Sequence, residues 1–269
     1  MIRQPAVADQ FYDGNPTRLH YELGKLIGPA KEARSAKAIV APHAGYMYSG
    51  AVAGVAYAQV EVPETVIILG PSHTGVGSPA AVMTEGAWSM PMGTVPISED
   101  LAALMVELSD YLEDDTSAHT YEHSLEVQIP FLQYRQPNLS IVPVCLKNLS
   151  FSVCEDIGST IAETVKQIGK PVLLVASTDM THYESQEQAE AKDRLAIDKI
   201  LALDPQGLLE TVRGHNISMC GVIPTTVTLV ASLALGANSA ELIRYATSGD
   251  VTGDYVQVVG YASFIIYGY

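Results

Sequence analysis

Val172-Leu173-Leu174-Val175-Ala176, followed by Ser177-Thr178-Asp179-Met180-Thr181-His182-Tyr183, is an apolar run that breaks into a polar turn carrying a histidine. An unbroken apolar run of this length, bounded by turn residues, reads as a strand buried on both faces. The pattern occurs twice more. Ala38-Ile39-Val40-Ala41 leads into Pro42-His43-Ala44-Gly45-Tyr46, and Thr65-Val66-Ile67-Ile68-Leu69 leads into Gly70-Pro71-Ser72-His73-Thr74-Gly75. In open α/β sheets, ligands bind beyond the carboxyl ends of the strands. Three histidines delivered there point to one site assembled from distant segments.

Outward from these strands the chain alternates helix-like and strand-like segments. Helices are expected over residues 49–60 with Ser49 as cap, 99–108 with Ser98 as cap, 121–134, 154–168, 186–203 and 224–235. Residues 141–146 read as a further strand. Residues 255–267 read as a last strand near an antiparallel edge, and residues 81–97 as an extended excursion or hairpin near the site. No linker, charge block or repeat divides the sequence. The expectation is one domain over residues 1–269, a three-layer α/β/α sandwich with a central mixed β-sheet.

The bulk composition narrows the function. The 269 residues are 48% hydrophobic and 17% charged, an ordinary globular balance with a large core. A net charge of −15, with only 15 Lys and Arg, argues against nucleic acid and against an anionic membrane surface as partners. The longest stretch without a formal charge, residues 214–240, holds His215, Asn216, Pro224 and many Ser and Thr, so it reads as a buried helix rather than a membrane span. The N-terminus shows no apolar signal region. Three cysteines in no framework spacing fit a reducing, cytoplasmic setting.

Several residues carry chemistry in this pattern. His43 sits among small residues that allow close ligand approach. His73 lies in a tight turn that superficially matches a phosphate loop, but the Lys-Ser/Thr such a loop requires is replaced by Val76-Gly77. An imidazole presented by such a turn is a good metal ligand. Asp179 and His182, three apart, would share a face if the turn enters a helix, giving a carboxylate-oriented general base. Of the adjacent Glu122 and His123, one must point away, and His123 is favoured to enter the site. Cys220 precedes a helix start, where a thiol pKa is lowered toward thiolate. Cys145, Cys154, His20, His119 and His215 read as structural or surface residues, and Asp250 as a turn residue.

Taken together and in order, these motifs resemble the Memo family. The matching stretches are residues 42–46, 70–73, 122–128, 177–179 with His182, Cys220-Gly221 and Ser248-Gly249-Asp250, spanning nearly the whole chain. The resemblance implies a fold similar to class III extradiol dioxygenases. It also implies that His43, His73 and Cys220 are the metal residues, with Asp179 and His182 beside them. Those dioxygenases use two histidines and a carboxylate. A cysteine as third ligand is softer, so copper or zinc competes with iron, and ring cleavage does not follow.

The leading expectation is therefore a protein with a dioxygenase-like pocket that binds a redox metal, iron first and copper next, and catalyses a redox reaction on a small-molecule or peptide ligand. In a variant of it, Asp179 completes the metal triad and Cys220 is a redox-active neighbour. Two alternatives stand beside it. One is a non-catalytic binding module for a peptide or small ligand. The other is a metal-free transferase or hydrolase with Cys220 as nucleophile and His182 as base.

Overall fold

The computed structural model describes residues 1–29 and 32–268. The strands, in chain order, are β1 (Ile2–Arg3), β2 (Ala38–Ala41), β3 (Thr65–Pro71), β4 (Ala80–Val82), β5 (Ala87–Met90), β6 (Gly93–Pro96), β7 (Glu113–Asp114), β8 (Ser140–Leu146), β9 (Val172–Ser177), β10 (His182–Glu184), β11 (Ser239–Thr247) and β12 (Val258–Tyr267). The helices are α1 (Pro16–Ile27), α2 (Ala51–Tyr57), α3 (Glu99–Leu108), α4 (Ile129–Arg135), α5 (Phe151–Ile168), α6 (Gln186–Leu201), α7 (Pro205–Gly214), α8 (Val222–Ala234) and α9 (Gly249–Thr252).

The main sheet runs β10-β12-β2-β9-β3-β8-β4-β7, with β11 also paired to β12. Strands β2, β9, β3 and β8 are mutually parallel, while β12 joins β2 antiparallel and β4 joins β8 antiparallel. A mixed sheet at the centre of an α/β/α arrangement is the architecture expected from the sequence. Helices α1, α2 and α4 pack together, with α2 against β2 and β12; α8 lies on β9 and β3 and packs on α5 and α7. Side chains of β2 and β9 are buried on both faces, which is why these runs are apolar without alternation. No helix among the described residues is long and apolar enough to cross a membrane.

The parallel set positions the site. Because β2, β9 and β3 are neighbours in that order, the loops after Ala41, Ser177 and Pro71 leave one edge of the sheet side by side.

Local chemistry accounts for the departures from the sequence reading. Tyr46–Gly50 is a π-helical turn and α2 begins only at Ala51, because the Ser49 hydroxyl donates to Ala44 O instead of capping. Residues 121–125 are loop rather than helix: the Glu122 carboxylate captures the Ser124 N–H, and Pro130 sits in the first turn of the later α4. Strand β12 does lie near an antiparallel edge as expected, one strand in, between β2 on one side and β10 and β11, both antiparallel to it, on the other. Within 81–97, β4 joins the main sheet, and β5 and β6 form a hairpin in a small sheet with β1. None of that segment lines the site cavity; Trp88 is buried under the Arg3 guanidinium instead. Helix α1 escaped the reading although its signals are present: Asn15 caps Thr17 and Arg18, and Pro16 opens the first turn.

Candidate metal centre

His43 leaves β2 fully oriented by its neighbours. Its N–H donates to Asp179 Oδ1 at 2.8 Å, and its ring Nδ1 lies 2.9 Å from Ser177 Oγ. The proton on that ring can be assigned by counting hydrogens. Gln128 Nε2 donates to Pro42 O and to Ser177 Oγ, and Tyr57 O–H donates to Gln128 Oε1, which fixes the amide orientation. Ser177 donates its one hydrogen to Ser124 O at 2.6 Å. Ser177 is therefore left only as an acceptor toward His43, so Nδ1 carries the proton and Nε2 offers its lone pair. Burial, reinforced by the neighbouring His73 and His123, holds the His43 pKa well below its ordinary value, so this imidazole is neutral.

His73 and His123 complete a face. The potential ligand atoms of His43, His73 and His123 all lie within 4.8 Å of one another. Behind them stands Glu122, whose side chain is wholly buried. It accepts the His73 N–H at 2.5 Å, the His73 ring Nδ1–H at 2.9 Å and the Ser124 N–H at 2.8 Å. His123 Nδ1 lies 3.5 Å from the same carboxylate. Burial alone would raise the Glu122 pKa, but these donors outweigh it and bring the carboxyl down to about 2. A ligand imidazole whose other nitrogen donates to a carboxylate is the usual outer support of a metal site. Of the adjacent pair, His123 enters the site and Glu122 orients from behind. Burial also lowers the His123 pKa.

Cys220 stands outside the three-histidine group but touches it: Sγ is 3.3 Å from His43 Nε2 and accepts the Asp179 N–H at 3.3 Å. A Cβ at position 221 would come within 2.3 Å of Ser177 O, so Gly221 lets the cysteine segment approach β9 closely. The expected thiolate is not what the site favours. Burial, and then the Asp179 carboxylate, push the thiol pKa well up, and this outweighs the helix start two residues on.

The Asp179–His182 pairing is also corrected. The turn after β9 enters strand β10 rather than a helix, so the two side chains do not share a helix face. His182 is held by Ser218 instead: its N–H donates to Ser218 Oγ at 2.7 Å and its ring Nδ1 donates to Ser218 O at 2.9 Å. This leaves Nε2 as an acceptor. Burial pushes the Asp179 carboxyl up to about 6, against the His43 N–H and the nearby His182, which lower it.

All of His43, His73, His123, Asp179 and His182 line one cavity of about 430 Å³, walled otherwise by Gln10, Phe11, Tyr48, Tyr183 and Tyr261 among others. The N-terminal segment that supplies Gln10 and Phe11 was not singled out from sequence. It is fastened by Glu126, which accepts from Arg3 Nη1 at 2.6 Å, Ala6 N at 2.8 Å, Val7 N at 3.1 Å and Tyr12 O–H at 2.5 Å. Arg3 also donates to Glu122 O at 2.8 Å. The available signal was Glu126 and Gln128 alternating with apolar residues in Leu125-Glu126-Val127-Gln128-Ile129, where a buried polar group must find partners. Asp250 lies in the first turn of the short helix α9 rather than in a plain turn and accepts from Thr247 N, and Cys145 and Cys154 are buried, their thiols pushed up to about 12 and about 11 by burial.

Known proteins share this chain over its length. A MEMO1 family protein of Methanopyrus kandleri is 46% identical over 281 residues, covering 98% of this chain and 99% of its own. A MEMO1 family protein of Methanothermobacter thermautotrophicus is 44% identical over 274 residues, covering 97% and 99%. A solved structure, an uncharacterized protein of Escherichia coli, superposes with a TM-score of 0.54 at 13% identity, over 84% of this chain and 98% of its own, and so shares the fold. The family model for Memo-like protein matches residues 3–265, a span that includes every strand-end loop feeding the histidine cluster. The chain belongs to the Memo-like protein family.

Proposed function

We propose that the pocket holds a redox-active first-row metal, iron first and copper next, and uses it on a small organic ligand in a redox reaction. The observation that carries this reading is the mutual approach of the His43, His73 and His123 ligand atoms within 4.8 Å, with Glu122 and Ser177 fixing two of the rings from behind. Three imidazoles suit iron, copper, zinc and nickel, and a thiol beside them favours the softer of these. In this proposal His43, His73 and Cys220 are ligands, and His123 faces the ion as the additional imidazole. Donors on one ion at bond lengths of ~2.0–2.3 Å stand roughly 3–4 Å apart, a spacing that the 3.3 Å His43–Cys220 contact matches. The three imidazoles are the group that fits a metal, and Cys220 joins it through His43.

The bound metal would supply electron transfer and Lewis acidity. The chain's own residues do the rest. Cys220 gives up its raised-pKa proton as the ion enters, so binding weakens as pH falls. Beside the imidazoles Asp179 and His182 are the proton-handling groups. Burial raises the Asp179 carboxyl to about 6, close to where a general acid or base works best, and His182, its Nδ1 committed to Ser218 O, is left with Nε2 as a hydrogen-bond acceptor. Phe11 packs against the His123 ring, with centroids 4.9 Å apart, and shields that side from water.

A metal-free Cys–His nucleophile draws on the Cys220–His43 contact, but the thiol pKa is raised rather than lowered, which works against it. The deciding experiment is metal analysis of protein purified anaerobically without added metal, together with reconstitution after chelation. Iron or copper approaching one ion per chain, lost in His43→Ala and His73→Ala, supports the reading. Uptake of zinc alone, or of no metal, overturns it. Alkylation of Cys220 read by mass spectrometry tests the thiol separately: equal labelling with and without saturating metal removes Cys220 from the ligand set.

A further inference from the structure

We propose that Tyr183 is a specificity residue of this pocket, forming a subsite for a flat, uncharged substituent of the ligand that reaches the metal. The proposal rests on the metal reading above and extends it to ligand class.

The first observation is the backbone. Positive φ among the described residues occurs at eight glycines, at Asp9 and Asn216, and at Leu203 and Tyr183. Glycine, aspartate and asparagine tolerate this region; a bulky side chain there is strained. Leu203 packs partly buried against the core, so its strain is offset by apolar contact. Tyr183, at φ 60°, is 71% exposed and belongs to no core cluster. Stability gives no reason for a tyrosine here.

The second observation is location. His182 and Glu184 pair with Val259 and Val258 of β12 with a register shift between them, so Tyr183 is the bulged residue. Bulges beside active sites re-aim side chains. If this bulge served only to aim His182, glycine would do as well. Instead it displays a ring on the cavity wall, centroid 5.9 Å from the His182 ring.

The third is the composition of the wall. Phe11, Tyr48, Tyr183, Val259 and Tyr261 line the cavity, and none of its lining residues is Lys or Arg. Such a wall recognises a planar apolar group and offers no counter-charge to a phosphate or sulfate. The ligand class that fits is a metal-chelating head joined to a flat uncharged substituent.

Two hydroxamates with the same chelating head test this on metal-loaded protein: benzohydroxamate carries a ring, acetohydroxamate only a methyl. Wild-type protein and Tyr183→Phe should bind benzohydroxamate about tenfold more tightly than acetohydroxamate. Tyr183→Gly and Tyr183→Asn should bring the two within about twofold, with acetohydroxamate unchanged. The thermal midpoint of Tyr183→Gly should meanwhile rise by roughly 1–3 °C, because the backbone strain is relieved. Opposite signs in stability and binding are what a merely structural tyrosine does not produce. Metal-loaded wild-type protein that binds both hydroxamates equally, or a Tyr183→Gly variant that keeps the preference, overturns the subsite and leaves the metal reading intact. A lower midpoint with loss of both hydroxamates overturns it as well, by assigning Tyr183 to the fold. Wild-type protein that takes up no metal overturns the metal reading first, and the inference with it.

Discussion

The two walls of the cavity are built on different principles. The imidazole wall, His43 with His73 and His123, is backed by buried side chains whose hydrogens are all assigned: Ser177, Gln128, Glu122 and, behind them, the Arg3–Glu126 pair. The second wall, Asp179 with His182 and Tyr183, adjoins it and is held by fewer groups: Asp179 by the N–H of His43, His182 by the hydroxyl and carbonyl of Ser218, and Tyr183 at a strained bulge. A wall with fixed tautomers and a fully paired carboxylate behind it suits an ion that demands geometry. A wall with a raised carboxyl and an exposed ring suits a ligand that comes and goes.

The largest expected effect lies in metal affinity. His43→Ala should lose tight binding of iron or copper altogether, well beyond the ~10–100-fold typical of outer-shell changes, while Glu122→Gln should fall within that range and Asp179→Asn near its lower end. Chelator-competition titrations give all three. Equal losses at His43 and Asp179 would erase the distinction between the walls.

Next comes stability. The Arg3 and Glu126 side chains are 3% and 0% exposed, and Glu126 has three further donors. Arg3→Met leaves that carboxylate without its counter-charge and should cost about 3–5 kcal/mol in denaturant unfolding. Behind the other wall, at the end of β10, Glu184 pairs with Lys192 at partly exposed side chains, and Lys192→Met should cost less than ~1 kcal/mol. A similar cost at both sites would mean that the N-terminal segment contributes little to the imidazole wall.

The smallest effect is the most diagnostic, because the walls should respond to pH with opposite sign in metal-free protein. Glu122 drops from 4.5 to about 2 on folding. It therefore binds fewer protons in the native state, and its contribution, about 3 kcal/mol, is present above pH ~4.5 and lost as pH falls toward ~2. Asp179 rises from 3.8 to about 6. The native state then binds more protons between those values, so stability falls as pH rises from ~4 to ~6. Asp179→Asn should be about 1–3 kcal/mol more stable than wild type at pH 7 and match it near pH ~4, whereas Glu122→Gln should flatten the acid limb. Unfolding curves across pH measure both. An Asp179→Asn variant less stable than wild type at pH 7 would show that its carboxylate is fully compensated.

The sequence alone determined the sheet and the edge on which the site lies. The run Val172–Ala176 is apolar at every position because both faces of the sheet are covered, and that local pattern also fixes which residues follow the strand ends. That His43 and His73 would meet at one edge of the sheet was therefore legible from their positions after the strands. Only the tertiary structure decided their chemistry, because it depends on contacts far apart in the chain. The His43 proton is set by a chain from Tyr57 through Gln128 and Ser177 to Ser124. The Cys220 thiol follows its burial and Asp179 rather than the helix it precedes. His182 takes its partner from Ser218, thirty-six residues away, rather than from Asp179 three residues away. Local spacing encodes which side chains reach the sheet edge; burial and long-range hydrogen bonding decide which of their protons can move.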